Sequence, residues 1–135
     1  ALIGGAAGTF ASEQHLDVPM GYDKLREVGL TLGSGAVIVM DSTRNLNQTM
    51  LSILKFFKHE SCGKCIPCRI GTTQLYEALK ENLTHQDFKP DTVYPELIRQ
   101  AEMIARTSLC PLGQSPILPL KSLWEHILVK QTANK

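Results

Sequence analysis

The stretch Glu60-Ser61-Cys62-Gly63-Lys64-Cys65-Ile66-Pro67-Cys68-Arg69, completed further along by Ser108-Leu109-Cys110-Pro111, contains all four cysteines of the chain. Three of them stand at two-residue spacings within seven positions. Loops that short would force strained disulfides, whereas a metal centre uses such spacing naturally. Two residues between successive cysteines let one loop wrap three corners of an iron-sulfur cubane, and a remote fourth thiolate closes the last iron. The candidate ligands of a 4Fe-4S cluster are therefore Cys62, Cys65, Cys68 and Cys110. Gly63 permits close approach of the backbone and an unusual dihedral angle. Pro111 gives a rigid turn without an N–H after the distal cysteine. Lys64 and Arg69 are either ordinary solvated charges or partners that offset the charge of an anionic cluster. Structural zinc is the competing reading, although zinc prefers two CxxC or His-containing halves facing each other. Disulfides or free thiols are a third. His59 beside the triplet reads as a helix-end residue favoured by the dipole and not as a ligand.

Outward from the cysteines the pattern is helical. Leu46, Met50, Ile53, Leu54 and Phe57 recur at steps of three and four behind Asn45 as N-cap, which predicts a helix to about His59. A second helix is expected from Pro67 to Asn82, carrying Ile70, Leu75, Ala78 and Leu79. The polar segment from Thr84 to Asp91 reads as a loop. Pro95 then opens a third helix with the stripe Leu97, Ile98, Ala101, Ile104 and Ala105. After a break at Cys110-Pro111-Leu112-Gly113, a fourth helix takes Leu120, Leu123, Trp124, Ile127 and Leu128. Trp124 and the phenylalanines fall on apolar stripes and are expected in the core. Four amphipathic helices joined by modest loops bury their stripes most simply as a bundle.

The front of the chain has a different texture. Glycines dominate Gly4-Gly5-Ala6-Ala7-Gly8 and Gly33-Ser34-Gly35, the run Ala36 to Met40 reads as a buried strand, and Tyr22 to Val28 as a short helix closed by Gly29. This is α+β material with too few strands for a self-sufficient sheet. The glycine run does not satisfy GxGxxG and reads as a turn that excludes bulk. The fold class is thus mainly α, a four-helix bundle behind a partial α+β segment. The expected boundaries are 1–41 for that segment and 42–135 for the bundle. With 14 Lys+Arg against 13 Asp+Glu the net charge is +1, which supplies no basic field for nucleic acid. The longest apolar run is far too short to cross a bilayer, so direct membrane insertion is not expected. The start at Ala1-Leu2-Ile3 reads as mid-strand, as in an internal piece of a longer polypeptide.

Taken together, Ile3-Gly4-Gly5-Ala6-Ala7-Gly8-Thr9-Phe10, Leu16-Asp17, Gly33-Ser34-Gly35, the block from His59 to Thr72 and Ser108-Leu109-Cys110 resemble the C-terminal part of one group of related flavoproteins. It is the 51 kDa-type flavoprotein subunit of NADH dehydrogenase, NAD(P)-reducing hydrogenase or NAD-linked formate dehydrogenase. The resemblance implies the end of a soluble-ligand-binding β-grasp domain at the front and a helical 4Fe-4S domain behind it. It implies that Cys62, Cys65, Cys68 and Cys110 ligate the cluster. FMN and NAD(P) would bind a domain upstream of Ala1, and this chain alone would lack that site. The cluster would relay single electrons from flavin reduced by NAD(P)H, or the reverse, to other iron-sulfur subunits of a complex in the cytoplasm or on the cytoplasm- or matrix-facing side of a membrane. Lys64 and Leu112-Gly113-Gln114-Ser115 look closer to the hydrogenase and formate dehydrogenase branch. The function class that competes with this resemblance is a zinc-stabilised interaction domain without a redox role.

Overall fold

The computed structural model describes residues 1–129. Its front is a three-stranded antiparallel sheet in the order β2-β1-β3, with β1 Leu2–Ile3, β2 Thr9–Phe10 and β3 Val37–Ile38. Leu2 lies opposite both Phe10 and Ile38, and Ile3 opposite both Thr9 and Val37. The glycine run is the turn between β1 and β2, where a Cβ on Gly8 would run into the backbone of Ile3. Helix α1, Tyr22–Glu27, follows a 3-10 turn at Glu13–His15. Ile3, Ala11, Leu25 and Leu30 form a small core of their own.

The rest is helical, as the stripes predict. Helix α2, Leu46–Glu60, begins where the Asn45 side chain accepts the N–H groups of Asn47 and Gln48, and it buries Met50, Ile53, Leu54 and Phe57. Helix α3 runs Ile66–Asn82 with Pro67 in its first turn. Helix α4 runs Pro90–Thr107. Helix α5, Pro111–Gln114, is a single turn. Helix α6, Ile117–Leu123, continues into a π-helical turn over Trp124–Leu128. Gly71 of α3 faces Ile104 of α4 so closely that a Cβ there would lie 2.5 Å from the isoleucine side chain. One core joins the helices to the sheet, since Leu2 and Phe10 pack with Met50, Phe57, Leu75, Tyr94 and Leu120.

Four expectations change. The strand at Ala36 to Met40 is paired only over Val37–Ile38, and those two residues are 47% and 49% exposed. They form the outer strand of the sheet, with no strand paired to their far edge among the described residues, and apolar composition alone does not reveal that. The third helix starts at Pro90 and not at Pro95, which removes the end of the expected loop. Pro90 takes the first position, where its missing N–H costs nothing, and Pro95 sits inside the helix on an exposed face. Burial of Tyr94, whose hydroxyl donates to Asn47 Oδ1 at 2.9 Å, fixes that additional turn. The expected break at Cys110-Pro111-Leu112-Gly113 is largely helical, since Pro111–Gln114 form α5, which Ser115-Pro116 separate from α6. Ile70, assigned to the stripe of the second helix, is exposed, while Cys68, Gly71 and Thr72 take the buried side. The expected bundle segment beyond residue 129 lies outside the described residues.

Candidate metal centre

Local structure places Cys65 and Cys68 at the start of α3 and Cys62 in the loop before it. Ser61 ends α2 in an extended conformation, and Gly63 turns the loop with φ +76°, a value L side chains rarely adopt. Cys65 is then the N-cap residue of α3 and Cys68 lies in its first turn. Arg69 Nη1 donates to the Gly63 carbonyl at 3.1 Å, which ties the loop to the helix that follows it. Thr72 Oγ1 donates to the Cys68 carbonyl at 2.7 Å on the buried side.

Cys110 comes from a distant part of the sequence. Helix α4 ends at Thr107, and Ser108-Leu109-Cys110 crosses to α5, of which Cys110 is the N-cap residue. That crossing brings the backbone N–H of Leu109 against Cys65. Leu109 first, then the Cys68 N–H, hold the Cys65 thiol below its ordinary range, although its side chain makes no capping hydrogen bond. Cys68 is the buried member, 3% exposed, whereas Cys62 and Cys110 are exposed. Burial pushes its thiol up, a hydrogen bond from Ser61 opposes this, and the charges of Cys65, Cys110 and Cys62 push it further up. Cys68 therefore feels all three of the others. Among the described residues no three His, Cys, Asp or Glu side chains form a group arranged to hold a metal ion.

Two observations bear on whether these residues fit an iron-sulfur group. The donor set is four thiolates in the three-plus-one division that such groups take. Among the described residues Ser108 Oγ is buried without a hydrogen-bond partner, and a Cβ added to Gly113 would meet both Ser108 and, at 3.0 Å, Cys68 Cβ. A buried orphan hydroxyl beside the innermost cysteine requires an explanation, and sulfur with developing negative charge supplies an acceptor for it. The residues fit. Of the sequence candidates, Arg69 reaches the loop, Lys64 is exposed, and His59 is 86% exposed beside Glu60, consistent with a helix end. Trp124 stacks on Tyr94 at 6.0 Å between centroids and packs against the core, away from any role at the thiols. Sequence reasoning gave Ser61, Ser108 and Gly113 no separate role, naming them only within the cysteine blocks and the break after Cys110.

Among the described residues no helix is long and apolar enough to cross a membrane. Residues 48–129 match the family described as the NADH-ubiquinone oxidoreductase-F iron-sulfur binding region. The F subunit of NADH-quinone oxidoreductase from Rickettsia rickettsii is 32% identical over 127 residues, which cover 91% of this chain and 29% of the relative. The corresponding protein of Mycobacterium tuberculosis is 33% identical over 127 residues, 91% of this chain and 27% of that protein. A crystal structure of an NAD+-reducing nickel-iron hydrogenase in its H2-reduced state superposes with a TM-score of 0.76 at 26% identity, covering 97% of this chain and 22% of the other. The chain thus spans less than a third of the length of the relatives it matches. With the helical fold, the cysteine spacing and the family match in agreement, the chain belongs to the NADH-ubiquinone oxidoreductase-F iron-sulfur binding family.

Proposed function

We propose that Cys62, Cys65, Cys68 and Cys110 hold one 4Fe-4S cluster that serves as a single-electron relay. The observation that carries this reading is the approach of the distal turn to the first turn of α3, where a Cβ on Gly113 would meet the Ser108 side chain and stand 3.0 Å from Cys68 Cβ. When bound, such a cluster supplies reversible one-electron transfer and no acid, base or nucleophile. The chain's own residues do the rest. Four thiolates bind, the first-turn N–H groups of α3 favour negative charge, and Cys68 keeps water from the inner side. Arg69 and the Gly63 turn fix the loop.

In the intact protein this region receives electrons from FMN reduced by NAD(P)H, or returns them, and exchanges them with other iron-sulfur subunits of an oxidoreductase complex. The flavin and NAD(P) sites belong to segments outside residues 1–135. Residues 1–41 are the remainder of a β-grasp segment, and 42–135 are the cluster-bearing unit. The complex works in the cytoplasm or on the cytoplasm- or matrix-facing side of a membrane, and nucleic acid is not a partner. Similarity to the NADH-quinone oxidoreductase proteins and to the NAD+-reducing hydrogenase supports this reading.

Anaerobic reconstitution tests the site. The protein is expected to turn brown and carry about four irons and four sulfides per chain. Cys110→Ala is expected to lose most of the iron and to melt at a lower temperature, because the cluster no longer joins α5 to the loop before α3. A colourless protein with one tightly held zinc, or a full cluster in Cys110→Ala, overturns the four-thiolate assignment.

A further inference from the structure

The loop between α2 and α3 contains a hydroxyl whose two hydrogen bonds are both accounted for. Ser61 Oγ lies 3.3 Å from Cys68 Sγ, and the Gly63 N–H points to the same oxygen at 3.4 Å. The N–H of Gly63 can only donate, so it occupies a lone pair of the oxygen and leaves the hydroxyl proton free. A metal-bound thiolate carries no proton, so the pair has one arrangement left: Ser61 donates and Cys68 accepts. The peptide of Gly63 is held from both sides, its N–H on Ser61 and its carbonyl on Arg69, so Ser61 is not free to swing away from the sulfur.

Cys68 is the cysteine at which such a bond has the largest effect. It is 3% exposed, whereas Cys62 and Cys110 face solvent, where water competes as a donor. In low dielectric a hydrogen bond to a charged acceptor is stronger than in water. One-electron reduction adds negative charge that is shared with the ligand sulfurs, so a donor on sulfur favours the reduced state more than the oxidised one. We infer that Ser61 is a positioning residue for the proposed cluster: its hydroxyl, donated to Cys68 Sγ, makes the cluster easier to reduce. This inference rests on the four-cysteine reading above.

The test is a dithionite titration of the reconstituted protein, with the reduced cluster followed by electron paramagnetic resonance and iron measured on the same samples. Ser61→Ala and Ser61→Val, which remove the hydroxyl, are compared with Ser61→Thr, which keeps it and has the shape of valine. Both hydroxyl-free variants are expected to retain their iron. At a fixed poise their ratio of reduced to oxidised cluster should fall about tenfold, 59 mV for a one-electron couple, while Ser61→Thr stays near the parent. Unchanged potentials in iron-loaded alanine and valine variants overturn the inference. So does loss of iron from both when threonine keeps it, because the hydroxyl would then hold the loop and tune nothing. A parent protein that takes up no iron overturns the cluster reading itself and is told apart by its iron content.

Discussion

Gly113 shows how one missing methyl group shapes the site. In a helix, Gly→Ala ordinarily gains up to about 1 kcal/mol. Here the added Cβ would collide with the Ser108 side chain and stand 3.0 Å from Cys68 Cβ. Rotating the serine hydroxyl does not relieve this, since the Ser108 Cβ itself is only 2.6 Å from the added atom. Overpacking of that kind costs about 1 to 3 kcal/mol, so the steric term outweighs the helix gain. Gly113→Ala is expected to unfold at lower denaturant concentration than the parent and to retain less iron, because α5 moves away from Cys68. A variant more stable than the parent would show that the contact relaxes freely.

At the scale of elements, α4 joins the sheet-side helices to the cysteine turn and is held partly by its own surface. Glu96 accepts two hydrogen bonds from Arg99, at 2.7 and 3.0 Å, and one from Gln100 at 2.9 Å. Chiefly through Arg99, these bring its carboxyl down from 4.5 to about 2. A carboxyl depressed in the folded state stabilises the fold once it is ionised in the unfolded chain too. The contribution is complete above about pH 4.5 and disappears as pH falls through about 2. The pair is exposed, so the effect is small and falls with salt. Glu96→Gln should be slightly less stable than the parent at pH 7, and the difference should vanish in acid unfolding curves approaching pH 2. A gap that persists unchanged at pH 2 would assign the effect to helix packing instead.

Over the whole molecule, the sheet depends on the last helical segment. The outer edge of β2 is closed by two side chains: Ser122 Oγ accepts the Phe10 N–H at 2.8 Å, and His126 Nδ1 meets the Phe10 carbonyl at 2.7 Å. Ser122 sends its own proton to the Leu118 carbonyl at 2.7 Å, so one hydroxyl satisfies two backbone groups. The π-helical turn at Trp124–Leu128 carries His126 on the same side as Ser122. These contacts join positions more than a hundred residues apart. Ser122→Ala leaves the buried Phe10 N–H without a partner, and such a group costs about 1 to 3 kcal/mol. The variant is expected to lose stability by that amount in chemical denaturation and to exchange the Phe10 amide faster. Unchanged exchange at Phe10 would mean that the strand holds without the serine.

The sequence by itself determined the helices with a clean stripe, the N-cap at Asn45 and the identity of the four candidate cysteines, because each is written in local spacing. Periodicity of three and four residues fixes which face of α2 is buried, and two-residue spacing fixes which thiols share a loop. Tertiary structure decided the rest. Pro95 is a reasonable helix start until Tyr94, one residue earlier, is found locked in the core. Ala36 to Met40 reads as an interior strand until the sheet order places it on the outside, since apolar composition reports a need for cover and not whether a neighbour supplies it. No local pattern gives Ser61, Ser108 or Gly113 a role of its own. Their importance comes from the approach of the turn after α4 to the start of α3, a long-range contact that sets the space and polarity around Cys68, and no local pattern encodes it.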